Sequence, residues 1–447
     1  MIYIIPETCF KLQICLLWFI LRYAKIIRIY ACFQHKEQEV HTLIRFYNTL
    51  GKNLQTFQPV RKRVVTIFTC GPSVYQKSHI GNFRTFLFED ILSRYLAYAG
   101  FKVTRGMNFT DMEDKAIIEA AKKKITVQRL TENNIKEFLR TIKRLRMQFP
   151  DYLPRASEHV DAAVALIQKL IERGIAYWHN GNVYYNPLTF PGFGKLYGLD
   201  MSRWPLQRKR FHKDTYPGLQ WNKGDFILWH GYKNGDTCYR DTEIGRGRPS
   251  WNIQDPAMVS HCFHETLSIY CGGIDNLYRH HDYTKAILES VRPYPMAKFW
   301  LHCNHLYVNG EKMSKSKGNV IHVDTLIKKG FSMDEIRFFL IYGHYRQKQN
   351  YTERMMNLTA IKLRIFKELV KNIKTKAGHN WDSADRVQGM FRRTFAEHMD
   401  NDLHVQDAFD GLLQLLSDIK LHSLTPATAK GIIKTLREID KVLQVIF

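Results

Sequence analysis

Residues 70–82 read CGPSVYQKSHIGN. The run before them, Val64 to Phe68, is apolar and β-branched, the pattern of a strand buried in a parallel sheet. After them, Phe86, Phe88, Ile91, Leu92, Tyr95 and Leu96 recur at helical spacing within Phe83–Ala99. A strand, a glycine-containing turn and a helix N-terminus make an anion site, because unpaired backbone N–H groups and the positive end of the helix dipole face whatever sits there. His79 and Asn82 add side-chain donors beside a phosphate. Turns of this kind are common, so this one alone does not define a nucleotide site.

A second stretch strengthens the reading. Residues 310–320 read GEKMSKSKGNV and follow a strand-like run, His305–Val308. Alone, a Lys-Ser-Lys run is a solvated basic loop. Paired with the HIGN turn, the KMSKS string resembles the second of the two ATP-binding signatures of class I aminoacyl-tRNA synthetases. The resemblance implies that Lys312 and Lys315 stabilise charge on a leaving pyrophosphate, an electrostatic role.

The 447 residues suffice for two or three domains. Apolar content of 45% and charged content of 24% are those of a globular protein. The charge balance is unusual: 66 Lys and Arg face 42 Asp and Glu, a net +24. Most of the excess falls in residues 41–320. Such a surface suits a polyanion, RNA first; a generally basic proteome is the bland alternative. The 8 cysteines form no close CxxC pair, which points to a reducing compartment. Leu12–Leu21 is an apolar run too short to span a bilayer, and no small-residue cleavage site follows it. A targeting arm, a buried extra helix and an upstream stretch of reading frame all remain open for it. Residues 1–42 are set aside as an extension outside the fold. A cytoplasmic protein without membrane association is expected, with organellar targeting by residues 1–40 as the alternative.

From Leu43 a nucleotide-binding fold begins. Its first half is placed at 43–121, with a second strand at Lys102–Asn108 whose polar end, Asn108 to Lys115, leads into a helix, Ala116–Lys123. Residues 122–250 break the rhythm with a helix at Glu158–Arg173, short strands at Ile175–Tyr185 and a compact strand at Asp225–Trp229. They read as an inserted connective subdomain. Its basic run, Lys122 to Arg146, suits a solvated helix face as well as an RNA contact. The second half, 251–324, carries a strand-end turn at Cys271–Asp275 and a helix start at Arg279–Asp282. After Val320 only helical spacing is read, including Met333–Ile341, Met355–Lys376, Asp385–His398, Val405–Leu421 and Ala427–Val445, so 325–447 reads as a helical bundle. The expected class is α/β: a Rossmann-like, doubly wound parallel sheet with an inserted subdomain and a C-terminal bundle.

With these pieces placed, FYNTL, TCGPSVYQKSHIGN, NFTDMEDK, FPGFGKLYG, DFILW, CGGIDNLYRHH, EKMSKSKGN and MDNDL together resemble the cysteinyl-tRNA synthetase family over nearly all of residues 43–447. The resemblance implies a two-step reaction: cysteine and ATP, with Mg2+, give cysteinyl-adenylate, and the acyl group then passes to tRNA(Cys). It implies His79, Asn82, Lys312 and Lys315 as catalytic groups. Gly71, Gly272, Gly273 and Asp275 would join them around the nucleotide, and Cys70, Thr110 and Trp251 would line the amino-acid pocket. A monomer is expected.

Family members also hold zinc, which grips the substrate thiolate and rejects serine, since sulfur is the softer ligand. Their four ligands are two Cys, a His and a Glu. Matched residue by residue, these fall on Cys70, Asp255, His280 and Thr284, of which threonine is a poor ligand. Cys262, Cys271, His261, His264 and His281 are nearby substitutes. Asn82 stands where the signature usually carries a second histidine, so it can donate a hydrogen bond without carrying charge. No stretch matching the family's small anticodon-reading module is expected after the bundle. Two competing readings follow from these departures: a paralogue that adenylates an amino acid for a non-tRNA acceptor, and a catalytically silent RNA-binding paralogue.

Overall fold

The computed structural model describes residues 43–200, 224–314, 317–377 and 385–447. The extension 1–42 and Lys315 lie outside the described residues. The Val64–Thr69 strand, buried along nearly its whole length, forms the middle of a four-stranded parallel sheet. Lys102–Met107 pairs on one side of it and Leu267–Gly273 on the other, with Ala297–Cys303 outside that. The chain thus leaves Val64–Thr69 toward one edge and returns on the opposite side. This reversal is the topological switch point, where doubly wound sheets bind ligands outside the strand carboxyl ends. The parallel register puts the ends of the two central strands, Thr69 and Gly273, at that crevice.

The helix after the first strand spans Ile80–Tyr98 and begins three residues before the apolar spacing predicts. The reason is a reciprocal cap: the Asn82 N–H donates to His79 Nδ1 (3.3 Å), and the His79 N–H donates to Asn82 Oδ1 (3.0 Å). The helix is apolar nearly all round, as befits one covered on both sides. It packs on the parallel sheet and against helices Met333–Ile341 and Pro426–Leu443. On the sheet, Phe68, Tyr270 and Trp300 join one core with helices Trp251–Cys262 and Asp282–Val291.

Between the two halves lies a five-stranded antiparallel sheet in the order Ala176–His179, Asn182–Tyr185, Phe226–Gly231, Gly245–Pro249, Arg240–Thr242. Trp251 opens a helix, and the parallel sheet resumes at Leu267. One expectation is corrected. The region after Val320 is not helical throughout: Gln349–Tyr351 pairs in parallel with Leu306–Val308. Three residues are too few for an alternating pattern to show. The long helices that follow span Glu353–Lys376, Asp385–Asp400, Val405–Ser417 and Pro426–Leu443, close to their predicted bounds. No described helix is long and apolar enough to cross a membrane.

Candidate active site

Cys70 is the first residue past the central strand. Its N–H donates to the Cys271 carbonyl (3.1 Å), which continues the ladder across the switch point. The next N–H, of Gly71, donates to Asn108 Oδ1 (2.7 Å). A Cβ on Gly71 would stand 1.8 Å from the Asn108 carbonyl oxygen, so only glycine lets these two strand ends meet. Thr110 is buried beside this turn: its N–H donates to the Pro72 carbonyl and its carbonyl accepts from Val74.

The facing wall comes from helix Trp251–Cys262 and the turn before helix Asp282–Val291. The Trp251 ring stacks on His280 with centroids 4.0 Å apart and planes 2° from parallel. Asp255, one helical turn on, accepts from His280 Nε2 (3.0 Å), from the Tyr270 hydroxyl and from the Asn108 amide. His280 and Asp255 are each only 1% exposed. Burial, then the carboxylates of Asp255, Glu89 and Asp275, push the Cys70 thiol well above its ordinary range, so without a bound cation it stays a neutral thiol. The Thr284 hydroxyl donates to the His280 carbonyl one turn back in its own helix (2.8 Å). Cys70 Sγ and one ring nitrogen from each of His280 and His281 lie within 4.8 Å of one another. His280 Nδ1 and His281 Nε2 are buried without a partner. A buried thiol beside two unpartnered imidazole nitrogens is a donor set that fits zinc.

The phosphate side is built at the start of helix Ile80–Tyr98. Because Nδ1 of His79 accepts from Asn82, a neutral His79 carries its proton on Nε2. Burial, with a smaller contribution from His322, lowers this imidazole to about 4, so it is neutral at physiological pH. Asn82 spends its carbonyl on the cap, and its amide nitrogen has no partner among the described residues. The segment after the KMSKS loop is joined to this turn. The Ile80 N–H donates to the Ile321 carbonyl (2.9 Å), His322 Nδ1 meets the Ser78 carbonyl (3.0 Å), and Lys77 pairs with Asp324 (2.5 Å). Within the loop, Met313 lies so close to Gly81 that a Cβ there would be 2.6 Å from Met313 Cε. Lys312 lies at the loop's base on the short strand Glu311–Lys312, 3.4 Å from His305. Asp275 is exposed just past Gly273 and acts electrostatically on both His79 and His305. A Cβ on Gly272 would meet the His281 ring at 2.6 Å.

The structure therefore clusters Cys70, Trp251, Asp255 and His280, with Thr110 against the turn that follows Cys70, and gathers His79, Asn82, Asp275 and the base of the Lys312 loop nearby. Sequence reading did not single out Asn108 or His302. Asn108 clamps the glycine turn and Asp255 together. His302 meets His281 Nδ1 through Nε2 (2.7 Å) and Thr49 through Nδ1 (2.8 Å). Asn108 opens the polar strand end already noted, but nothing in that stretch marks it out from its neighbours; His302 sits near a strand end with no motif around it.

Comparison with known proteins bears on the same stretches. Residues 56–361 match the family described as the tRNA synthetases class I (C) catalytic domain. The cysteine–tRNA ligase of Chlamydia pneumoniae is 34% identical over 415 residues, covering 90% of this chain and 86% of that protein. That of Protochlamydia amoebophila is 31% identical over 416 residues, covering 90% and 86%. Among solved structures, the methionyl-tRNA synthetase of Mycobacterium tuberculosis in complex with methionyl-adenylate superposes with a TM-score of 0.62 at 13% identity. It covers 86% of this chain and 92% of that one, a likeness of fold.

Proposed function

The chain belongs to the class I cysteinyl-tRNA synthetase family, and on that footing we propose that it activates cysteine with ATP and transfers the cysteinyl group to a tRNA. The observation that carries this is the joining, at the switch point, of the cluster of Cys70, Trp251 and His280 to a helix N-terminus onto which the segment following the KMSKS loop is hydrogen-bonded. A carboxylate lying between them meets the α-phosphate.

In the first step a cysteine carboxylate oxygen attacks the α-phosphorus, the bond to the bridging oxygen breaks, and pyrophosphate leaves with the electron pair. No protein nucleophile is needed; positioning and charge stabilisation carry the step. His79 donates through Nε2–H, Asn82 through its free amide, and the first N–H groups of the helix add their dipole. Lys312, and Lys315 by the family match, neutralise the leaving group. Gly272, Gly273 and Asp275 hold the adenosine, and Gly71 shapes the turn beside it by letting the chain close on Asn108. In the second step a hydroxyl of the tRNA's terminal ribose attacks the activated carbonyl and AMP leaves. Cys70 and His280 would hold zinc, to which the substrate sulfur would bind as a soft ligand. The net +24 supports a polyanionic acceptor over a small amine.

The test is exchange of labelled pyrophosphate into ATP with each amino acid in turn, followed by charging of tRNA. Exchange with cysteine and acid-precipitable cysteinyl-tRNA are expected. Exchange driven by a different amino acid, or by none, would end this reading.

A further inference from the structure

We propose that this chain holds zinc through Cys70, His280 and His281, with Asp255 orienting His280 and Thr284 left outside the ligand set. The proposal deepens the cysteine-activating reading and rests on it for the identity of the fourth ligand, the substrate sulfur.

Three observations lead here. First, the only group of three potential ligands that converges among the described residues is this one, within 4.8 Å. Second, each imidazole is tied at one nitrogen and open at the other. His280 Nε2 donates to Asp255 at 3.0 Å, which leaves the Nδ1 lone pair. His281 Nδ1 meets His302 Nε2 at 2.7 Å, and His302 Nδ1 meets Thr49 Oγ1 at 2.8 Å; with the proton on His281 Nδ1, its Nε2 lone pair is left open. With the protons placed this way every contact is satisfied and two bare nitrogens face a thiol; the reverse relay, from the Thr49 hydroxyl through His302, satisfies the same contacts and is the one a metal at His281 Nε2 would exclude. Carboxylate or hydrogen-bond support on the far nitrogen is how metal-binding histidines are held. Third, Thr284 is otherwise engaged, its hydroxyl spent on its own helix.

Local backbone agrees. The chain departs from helical geometry at Tyr278 and Arg279, the latter at φ 72° and ψ −70°. The two consecutive imidazoles thus follow directly on a break in the chain, with His281 already in helical geometry at the start of the next helix. Gly272 keeps the space between them open: a Cβ there would lie 3.0 Å from His281 Nε2 and 3.5 Å from Cys70 Cβ. Three protein ligands and an open fourth position are the pattern of a zinc site that takes substrate. A histidine adjacent in sequence thereby makes good the loss of a carboxylate one turn away.

The full chain, stripped with a chelator and reloaded, is expected to take up one zinc per molecule. Competition with a chromophoric chelator should show His281→Gln weakening zinc more than 100-fold and Asp255→Asn weakening it about 10–100-fold, as for an orienting partner. Thr284→Val should leave affinity within threefold. Zinc X-ray absorption of the unaltered chain tests the set without any variant: one sulfur and two imidazoles are expected, and a single imidazole overturns it. With cobalt in place of zinc, added cysteine should intensify the thiolate-to-metal band and added serine should not. Unaltered zinc affinity in His281→Gln, or its collapse in Thr284→Val, would also overturn the assignment. Cysteine-dependent exchange by a chain that holds no zinc would remove this ligand set and leave the functional reading standing. Exchange with another amino acid by a zinc-loaded chain would do the reverse.

Discussion

Replacing His79 with asparagine lowers pyrophosphate exchange by about 10²–10³-fold, the loss typical of one preorganised donor at developing charge. Asparagine is the informative choice. Alanine would also remove the helix cap, at about 0.5–2 kcal/mol, whereas asparagine keeps a capping oxygen while withdrawing the Nε2 donor from the phosphates. A drop in kcat with an unaltered melting curve is the expected pair of results. A loss below tenfold would mean that the phosphates bind elsewhere. The pH dependence separates the role further. Folded, this imidazole ionises at about 4; unfolded, near 6.5. Above 6.5 it is neutral in both states and contributes nothing to stability. Between 6.5 and 4 the unfolded chain takes up the proton and the folded chain does not, so stability falls as pH falls. His79→Asn should therefore lose less stability than the unaltered protein between pH 7.5 and pH 5, and exchange by the unaltered enzyme should show no step near 6.5 from this group. Denaturant titrations at the two pH values provide the comparison.

The halves of the site differed in how openly the sequence displayed them. The phosphate half was legible because its chemistry is local: a buried strand, a glycine turn and a capped helix follow one another within some thirty residues, and the KMSKS string is contiguous. Even so, the cap that starts the helix at Ile80 was not foreseen, since it depends on the side chains of His79 and Asn82 facing each other. The amino-acid half was legible only as scattered pieces. Nothing near Asp255 indicates that Asn108 and Tyr270 both donate to it, because those contacts arise from strands brought together by the sheet. His302 lies in a strand with no pattern around it, and its link to His281 depends on the edge strand Ala297–Cys303 sitting in register with the central strand Leu267–Gly273, Gly272 opposite His302. The long helices of the C-terminal region were read to within about four residues of their ends, their amphipathic periods being long, while the short strand Gln349–Tyr351 among them was missed. The region's attachment to the nucleotide-binding core was not read, since that depends on single buried charges.

The strongest of those attachments predicts the largest stability effect. Arg337, on helix Met333–Ile341, is 1% exposed and pairs with Asp90 of helix Ile80–Tyr98, 0% exposed, at 2.7 Å. Its other donors reach the carbonyls of Leu443 (2.8 Å) and Leu145 (2.7 Å). One guanidinium thus fastens the C-terminal helix, the 145–148 turn and the bundle to helix Ile80–Tyr98. Burial alone would push the Asp90 carboxyl up; Arg337, with Arg94 and Arg105 behind it, holds it below its ordinary value. Arg337→Met keeps the volume, leaves a buried carboxylate with only Arg94 and the Gln148 N–H, and strips the donor from two carbonyls. Removing one partner of a buried pair costs about 3–5 kcal/mol, and that is the expected loss in denaturant unfolding at neutral pH. Because the folded carboxyl is the more acidic one, the pair's contribution is present above about pH 4 and disappears as the pH drops below it. Arg337→Met should therefore differ least from the unaltered protein in acid. Adding Asp90→Asn to Arg337→Met should recover part of the loss, since the stranded charge is then gone. A single-variant loss under 1 kcal/mol, or a double variant no better than the single, would show that the bundle is held to the core by its apolar faces alone.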